Sequence, residues 1–404
     1  MSDEHDILEN TPKNNTRDSD PSVLIIWFEK YFKGDKVIWG TIIALYLIGI
    51  LVVYSATGTL AYQSQGGDME YYLFKHSFNV IISFLMVWIC HRIDYRYYSR
   101  LSRISLLISI PLLLLAWQFG VTINDANRWI TIPLIGQTFQ PSDFAKLALI
   151  TSIASILARR QNNVDDFQET VLPIFIWTGI ICTLIGLSNV SSALLLFFNS
   201  LILMFIGRIP VSQLLLFILV GFVSTGISLL VGQRMETFQS RVDKYLNNEE
   251  VFQADQSYIA ISTGGVLGKG PGRSVQRNFL PNPYSDFIYS IIVEEYGLLG
   301  GLGVLGLYLL LLYRGVVVMA STSRPFGGIL SAGLTFSLVI QALINMCVAV
   351  GLVPITGLPL PLISMGGTSM LFTGISLGII LSVSRGDIDK DFSPKKKPEN
   401  SSKK

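Results

Sequence analysis

The sequence predicts an all-α integral membrane protein with about ten transmembrane helices, a long outer loop between helices 7 and 8, and broken segments near the outer face. Half of the 404 residues are hydrophobic and only 14% are charged, which is too apolar for an ordinary soluble domain. Runs of about 20 apolar residues recur along the chain, and each can cross a hydrocarbon layer of roughly 30 Å. These runs do not alternate as the strands of a membrane β-barrel would.

The apolar runs set the order of the elements. Their approximate limits predict ten spans: 37–57, 74–90, 104–121, 143–158, 171–188, 190–207, 211–232, 286–313, 326–349 and 369–383. Together they form one membrane domain, residues 37–385, with its outer loop at 233–285. Residues 1–36 are polar and mixed in charge and predict a disordered cytoplasmic tail. Residues 386–404 predict a second, basic cytoplasmic tail.

Lysines and arginines in the short loops predict the orientation of the chain. They precede the first span and follow the even-numbered spans: Lys30, Lys33, Lys36, Arg92, Arg96, Arg100, Arg103, Arg159, Arg160, Arg208, Arg314 and Arg324. Because cytoplasmic loops are enriched in basic residues, we expect both termini in the cytoplasm.

The loops on the opposite side also contain basic residues, where such residues are normally scarce. They are Arg128, Arg234, Arg241, Lys244, Lys269, Arg273 and Arg277. An anionic ligand would explain them, and a phosphate-bearing lipid would suit an outward site next to a bilayer. The alternative is an ordered loop in which they pair with acidic neighbours: Asp125, Glu236, Asp243, Glu249 and Glu250.

The sequence supports neither nucleic acid binding nor a disulfide or metal site formed by cysteines. The net charge of +2 does not indicate nucleic acid binding, because the basic residues lie in short loops that flank the apolar runs. The cysteines Cys90, Cys182 and Cys347 lie within apolar runs, at spacings that suggest neither a disulfide nor a metal site. We expect them to behave as small hydrophobic residues.

The stretch 124–150 is the first that could carry chemistry. Pro133 and Pro141 bracket a non-helical segment, and Pro141-Ser142-Asp143 has the pattern of a helix start. Asp143 and Lys146 then lie three residues apart on one helix face, close enough to pair. An ionisable pair at a membrane edge indicates a site, although a salt bridge that only caps the helix is the alternative.

The second stretch, residues 262–278, is rich in glycine. Its backbone N–H groups, with Lys269 and Arg273, could bind a diphosphate. It is not a nucleotide-binding P-loop, because no glycine stands five residues before Gly268 and Gly270 follows the lysine. A merely flexible turn is the alternative.

The third stretch, residues 280–297, enters the eighth span. Asp286 opens a helix after Pro281 and Pro283, and Glu294 and Glu295 lie two turns deeper in an apolar context. Burying a carboxylate there is costly unless it is paired or functional.

The fourth stretch, residues 351–370, combines three prolines with Gly357, Gly366 and Gly367. Such a sequence cannot form one regular span, so it predicts a broken or re-entrant segment that lines a cavity. Flexible packing without function is the alternative.

Together these stretches resemble the SEDS family of peptidoglycan glycosyltransferases, the FtsW and RodA group, from about Val37 to Arg385. The resemblance rests on five motifs in order: the Arg128-Trp129 turn, FQPSDFAK, the glycine-rich run that ends in Gln276 and Leu280-Pro281, D-F-I-x-x-x-x-x-E-E-x-G, and G-x-x-P-x-T-G-x-x-L-P-x-I-S-x-G-G-[ST]-S. FQPSDFAK and GLPLPLISMGGTS are more similar to the FtsW branch, which acts in cell division, than to the RodA branch.

The resemblance implies ten helices and polymerisation of lipid II, the undecaprenyl-diphosphate disaccharide-pentapeptide, into glycan strands. The reaction would take place on the outer face of the bacterial cytoplasmic membrane, at the division septum. The implied partners are lipid II, the growing glycan strand, membrane lipid, a monofunctional class b penicillin-binding transpeptidase and other divisome proteins. A lipid II transporter (flippase), a RodA-like polymerase of cell elongation and a non-catalytic scaffold are the alternatives.

This chemistry sets requirements for the site. The acceptor hydroxyl must lose a proton to a carboxylate base. The departing diphosphate needs cations, supplied by outward arginines and lysines and by a divalent metal, magnesium or manganese, if one takes part. No set of protein ligands for a metal is predicted.

The resemblance also implies the site residues. The family has an essential aspartate in the outer loop ahead of a segment that matches Phe252–Ser257, but here the preceding loop is short and has no aspartate at that place. Glu250 is the closest match for the catalytic acid, followed by Glu249, with Asp255 and Asp243 less favoured. The family's D-L-G-T is also replaced, by Asn189-Val190-Ser191-Ser192. The implied substrate-binding residues are Arg128, Asp143, Lys146, Lys269, Arg273, Gln276, Asp286, Glu295, Ser364, Gly366 and Gly367.

Overall fold

The structure is a computed structural model of the protein and describes residues 32–58, 69–123, 126–132, 137–231, 239–240, 243, 247 and 252–391. In these ranges the chain forms eleven α-helices and three β-strands. The helices are α1 (Lys36–Ala56), α2 (Met69–Arg92), α3 (Arg96–Phe119), α4 (Pro141–Arg159), α5 (Leu172–Gly186), α6 (Val190–Ile206), α7 (Val211–Val231), α8 (Phe252–Gly264), α9 (Ile288–Ser321), α10 (Pro325–Ala349) and α11 (Gly367–Asp391).

Nine of the described helices, all except α6 and α8, are long and apolar enough to cross a membrane, α5 together with the turn Phe167–Val171 that precedes it. The tenth, α6, is apolar but has only 17 residues. The prediction of an all-α membrane protein with about ten spans is therefore confirmed. Of the predicted tails, residues 1–31 and 392–404 lie outside the described residues.

Helix α4 lies at the centre of the bundle. In its most apolar window 72% of the residues are buried, against 28% in α3 and α7. Small residues explain this position, because they let neighbouring backbones approach closely. A Cβ atom on Gly333 of α10 would lie 2.9 Å from the Ile150 side chain of α4. Helices α2 and α11 pack by the same means, since a Cβ atom on Gly374 would lie 2.5 Å from the Ser83 carbonyl oxygen.

The first and last described spans meet at one end of the bundle. Asp35 caps α1 by accepting hydrogen bonds from the N–H groups of Val37 and Ile38, and its carboxylate pairs with Arg314 at the end of α9. The backbone N–H of Asp35 donates to the Ser384 hydroxyl of α11 at 3.0 Å. We refer to this end as the basic end, because it contains Arg92, Arg96, Arg159, Arg160, Arg208, Arg314, Arg324 and Arg385.

The opposite end, the loop end, contains a small antiparallel sheet between α3 and α4. Its strands are β1 (Val121–Ile123), β2 (Ala126–Ile132) and β3 (Gln137–Phe139), in the order β1-β2-β3. The prediction of a non-helical segment before Pro141 is confirmed, but its strands were not predicted because they are too short to show a clear alternation. The sheet delivers the chain to the start of α4.

Helix α9 extends to Ser321, eight residues beyond its predicted limits of 286–313. It contains a kink at Gly297, whose φ of 70° and ψ of −172° lie outside the helical region. Only glycine adopts this conformation without strain. The kink separates a short first part, which contains Glu294 and Glu295, from the long remainder of the helix.

Candidate functional site

The start of α4 places an ion pair at the loop end. Pro141 fixes the first turn, as the sequence predicted, and Asp143 follows within that turn. The Lys146 ammonium lies 3.1 Å from Oδ1 of Asp143, so the predicted pairing is confirmed. The Asp143 side chain is only 9% exposed, and its second oxygen, Oδ2, is buried without a partner in the described part of the chain. Such an atom is costly to bury, so it is available to a ligand donor.

This pair faces an open cleft between α4, α10 and α11. Polar side chains from α10 and α11 line it beside the pair: Ser337, Gln341, Ser369, Thr373 and Ser376. The Thr373 and Ser376 hydroxyls donate to carbonyl oxygens of their own helix at 3.0 and 2.9 Å, which leaves their lone pairs free to accept. A carboxylate, an ammonium and several hydroxyls together suit a ligand with both hydroxyl groups and negative charge.

The N-terminus of α11 lies beside this cleft. Its backbone N–H groups and helix dipole favour an anion there. Thr368 ties this end to the sheet, because its hydroxyl donates to the Thr138 carbonyl oxygen at 3.1 Å and accepts from the Gln140 N–H at 3.2 Å. A Cβ atom on Gly367 would meet no protein atom within 4 Å. The glycine is therefore not required by packing, and it leaves space at the helix end.

The segment between α10 and α11 is neither helix nor strand, so the prediction of a broken segment at 351–370 is confirmed up to Gly366, and residues 367–370 belong to α11. It is nevertheless buried, with Leu360 and Ile363 at most 1% exposed. Side chains from α10 satisfy its carbonyl oxygens: Gln341 donates to Pro359 at 2.9 Å and Asn345 donates to Leu358 at 2.8 Å. These bonds allow irregular backbone at membrane depth, where water is absent. Both side chains were missed by sequence reasoning.

Ser364 fixes this segment to the entry of α9. Its hydroxyl donates to the Ser285 carbonyl oxygen at 2.6 Å and accepts from the Leu360 N–H at 2.8 Å. Its hydrogen-bonding capacity is therefore used within the protein, which makes it a positioning residue. Asp286 is partly exposed and accepts a hydrogen bond from the Ser285 hydroxyl at 3.0 Å. Burial, with the nearby Tyr72 and Asp286, raises the pKa of the Tyr284 phenol beside them.

The glycine-rich stretch folds back onto the first part of α9. The N–H groups of Lys269 and Gly270 donate to the carbonyl oxygens of Glu294 and Glu295, both at 2.9 Å. Close backbone contact makes glycine necessary here, because a Cβ atom on Gly268 would lie 2.2 Å from the Glu295 carbonyl oxygen. These N–H groups are occupied, so the stretch is not an open phosphate-binding loop.

Glu294 holds this stretch through its side chain, which is fully buried. It accepts from the Lys269 ammonium at 2.6 Å, from the N–H groups of Val275 and Gln276 at 3.0 and 3.3 Å, and from the Ser274 hydroxyl. Lys269 was predicted to bind substrate, but its charge is compensated by Glu294. For this lysine the structure favours the alternative of an ordered, internally paired loop.

Glu295 connects the same stretch to α1. Its carboxylate accepts from the Ser55 hydroxyl and from the Ser274 N–H at 3.2 Å, and it is only 1% exposed. Arg277, which lies outside the implied binding set, donates to the Ser55 carbonyl oxygen at 2.9 Å. Through Oε1 Glu295 positions α1 and the loop, whereas its Oε2 is buried without a partner among the described residues. Gln276 is buried beside it, with its side-chain oxygen unpartnered among the described residues.

Of the remaining predicted residues, Asp255 and Arg273 have described side chains, whereas Arg128, Glu249 and Glu250 do not. Asp255 is partly exposed in the first turn of α8, and Arg273 is exposed in the glycine-rich stretch. Arg128 belongs to β2, but its side chain is not described. Glu249 and Glu250 lie outside the described residues. The identity of the catalytic acid therefore stays a prediction.

The described residues contain no group of three or more His, Cys, Asp or Glu side chains that could jointly hold a metal ion. A divalent cation bound to the described residues alone would need further ligands, which the oxygens of a bound substrate could supply. Magnesium sites often have this form, with one or two carboxylates and the oxygens of a bound phosphate. Asp286 is partly exposed near the segment between α10 and α11, and it could supply one such carboxylate.

Comparison with known families gives one match over most of the chain. Residues 35–388 match the FtsW, RodA and SpoVE family, described as cell cycle protein. Similar relatives are named probable peptidoglycan glycosyltransferase FtsW. The relative from Geobacter sulfurreducens is 33% identical over 359 residues, which cover 87% of this chain and 95% of the relative. The relative from Bacillus subtilis is 30% identical, with coverages of 85% and 88%.

Solved structures share the fold. A chain from a peptidoglycan synthase complex, studied for the coordination of polymerization and crosslinking, has a TM-score of 0.70 and 26% identity, and the match covers 88% of this chain and 98% of that one. The rod shape determining protein RodA of Thermus thermophilus has a TM-score of 0.66 and 25% identity, with coverages of 89% and 99%.

Proposed function

The chain belongs to the FtsW, RodA and SpoVE family of cell cycle proteins, and from this premise we propose that it is a peptidoglycan glycosyltransferase. Its substrate is lipid II, which it polymerises into glycan strands. The names of the similar relatives, at 30% to 33% identity over most of the chain, support this activity. They also favour the division branch over RodA-like elongation.

The observation that carries the proposal is the cleft beside the Asp143–Lys146 pair. It combines a buried carboxylate oxygen without a partner, an ammonium group and the free N-terminus of α11. The ligand that fits is amphipathic, with hydroxyls and negative charge. Lipid II has these properties, since it joins a sugar-peptide headgroup to a lipid through a diphosphate.

The reaction needs a base and a site for the leaving group. In the proposed mechanism a carboxylate of the outer loop, Glu250 or Glu249 with Asp255 as the alternative, removes the proton from the acceptor hydroxyl. That oxygen attacks the anomeric carbon of the donor, and the lipid diphosphate departs. Lys146, the α11 N-terminus and the exposed Arg273 stabilise the charge that develops on the diphosphate. A bound magnesium or manganese ion would add Lewis acidity at the same oxygens.

Other residues act by positioning. Glu294, Glu295 and Ser364 each form hydrogen bonds that join a loop to a helix. They fix the glycine-rich stretch and the segment before α11 against α9. Preorganisation of this kind matters because a displacement of about 1 Å at a reacting group can cost 100-fold in rate.

The orientation and the partners belong to the same proposal. Basic residues cluster at the end where α1 begins and α9 ends, so this end is placed in the cytoplasm and the loop end outside. Both termini are then cytoplasmic, and lipid II is met at the outer face, at the septum. A class b penicillin-binding transpeptidase is the proposed partner, supported by the similarity to a chain of a peptidoglycan synthase complex.

Purified full-length protein, incubated with lipid II and a candidate partner transpeptidase, tests the activity. Glycan strands resolved by gel electrophoresis are expected. The double variant Glu249→Gln/Glu250→Gln should abolish them, whereas Glu70→Gln, an exposed acid at the start of α2, should not. Strands that persist in the double variant would move the base to Asp255 or Asp243.

A lipid II transporter is the second candidate function. Broken helices and intramembrane carboxylates also occur in transporters. It predicts movement of labelled lipid II between the leaflets of vesicles that contain the protein. Leaflet transfer without any strand formation would replace the polymerase by a transporter, and strands without transfer would exclude the transporter.

A further inference from the structure

A second cavity lies at the basic end, between α3, α4 and α5. Its volume is about 300 Å³. Helix α4 links it to the cleft of the candidate site, since Asp143 and Arg159 are near the two ends of this helix. Their separation of 16 residues corresponds to about 24 Å along the axis. The cavity is therefore distinct from the proposed lipid II site.

One face of each helix lines this cavity. Helix α4 contributes Ser152, Ser155 and Arg159, whose spacing of three and four residues places them on one face. The side chains that line the cavity include both charged and apolar ones. Arg159 and Arg160 lie at the end of α4 and Arg103 lies within α3, one turn before Leu106, whereas Trp177 lies within α5.

The charges at the mouth are predominantly positive. Arg103, Arg159 and Arg160 line it together with a single acid, Glu169, which pairs with Arg160. Within the described part of the chain, the hydrogen bonds of Arg159 are two long contacts with Ser99, at 3.4 and 3.5 Å. Arg103 is exposed and has no hydrogen bond or ion pair with the described residues. Two guanidinium groups thus remain available to an anion.

The serines of the wall are engaged with the protein. The Ser152 hydroxyl donates to the Ser102 carbonyl oxygen at 3.1 Å, and the Ser99 and Ser155 hydroxyls are 2.8 Å apart. These bonds join α3 to α4 and fix the wall of the cavity. The cavity is therefore built into the packing of the helices.

We propose that this cavity binds the headgroup of an anionic glycerophospholipid from the leaflet at the basic end. The phosphodiester would lie between Arg103 and Arg159, and the acyl chains would leave past Leu106 and Trp177. Basic pockets between transmembrane helices on the cytoplasmic side are suited to such headgroups. Tryptophan is favoured at the same depth because its ring is amphipathic.

Fluorescence quenching by brominated lipids tests the site. The full-length protein is placed in micelles with increasing fractions of brominated dioleoyl phosphatidylglycerol or phosphatidylcholine. The Trp177 signal is the difference between the native protein and Trp177→Phe. We expect tighter binding of phosphatidylglycerol, by about fivefold for each available arginine. Equal quenching by the two lipids would overturn the proposal.

Substitutions of single arginines distinguish lipid binding in the cavity from a general effect of positive charge at this end of the protein. Arg103→Gln should lower the affinity for phosphatidylglycerol by about fivefold, and Arg103→Lys should retain most of it. Arg324→Gln, an exposed arginine at the same end but outside the cavity, should have no effect. An unchanged preference in Arg103→Gln, or an equal loss in Arg324→Gln, would contradict the site.

Two controls complete the test. Because Arg103 is exposed and unpaired in the described structure, Arg103→Gln should elute from size exclusion as the native protein does. Excess inorganic phosphate should not restore the Trp177 fluorescence, since the acyl chains contribute to binding. Release by inorganic phosphate would reassign the cavity to a soluble anion. This test measures lipid binding alone, so its failure leaves the proposed glycosyltransferase activity unaffected.

Discussion

The Lys269 ammonium lies 2.6 Å from the carboxylate of Glu294, whose side chain is fully buried in the first part of α9. The lysine itself is 28% exposed. This pair joins the glycine-rich stretch to the bundle, and it makes the stretch a fixed wall of the site. Four predictions follow from this arrangement and from the cleft beside Asp143.

Glu294→Gln should destabilise the protein by about 2 kcal/mol, because Lys269 and several N–H groups lose a buried acceptor charge. Polymerisation of lipid II should fall at least tenfold as the loop loses its position. Thermal unfolding and strand formation measure the two effects. Glu169→Gln is the matched control, since it breaks an exposed ion pair with Arg160 and should cost less than about 1 kcal/mol. Equal losses in the two variants would show that burial of the pair is unimportant.

Asp143→Asn and Lys146→Gln should each reduce polymerisation at least tenfold if both groups contact the ligand. The double variant separates this role from helix capping. If the pair only stabilises α4, removing both charges should restore much of the activity, because no unpaired charge remains. If each side chain binds lipid II, the double variant should be as inactive as either single one. Strand formation and apparent KM for lipid II are the measurements.

Gly297→Ala should destabilise the kink of α9. Alanine would be strained at φ 70°, and its Cβ atom would lie 2.2 Å from the Val266 carbonyl oxygen. We expect a loss of about 2 kcal/mol or more in unfolding free energy. Gly303→Ala in the same helix has no atom within 4 Å of the new Cβ, so it should be neutral or stabilising by up to about 1 kcal/mol. A stable Gly297→Ala would contradict the described kink.

Gly367→Ala should weaken the binding of lipid II without lowering the stability of the protein. The new Cβ atom meets no protein atom within 4 Å, so the melting temperature should be unchanged or slightly higher. If lipid II lies against the N-terminus of α11, the methyl group should raise the apparent KM severalfold. Gly40→Ala, equally unobstructed in α1, should leave both quantities as in the native protein. An unaltered KM would place the ligand elsewhere in the cleft.

Local features of the site could be predicted from the sequence. The Asp143–Lys146 pair was predicted because three residues on a helix bring two side chains together wherever the helix lies. The broken segment before α11 was predicted for an equally local reason, since its prolines and glycines exclude a regular span. In both cases the information lies within a few consecutive residues.

Pairs between distant segments could not be predicted in this way. Lys269 and Glu294 are 25 residues apart in the chain, and Ser55 and Glu295 are 240 residues apart. The sequence offered lysines and carboxylates without indicating which would meet. Gln341 and Asn345 were missed for a related reason, since an amide within an apolar run gives no sign of the carbonyl oxygens it will satisfy.

The apolar runs by themselves determined a polytopic membrane bundle, because length and hydrophobicity are sufficient to specify a span. The distribution of lysine and arginine determined its expected orientation, and five motifs determined the family. The tertiary structure decided which of the charges at the loop end remain available. Lys269 is paired with the buried carboxylate of Glu294 and fixes a loop, whereas Asp143 keeps an unpartnered oxygen facing a cleft. The physical reason is that burial and pairing depend on how distant helices pack, and local sequence patterns contain no information about those contacts.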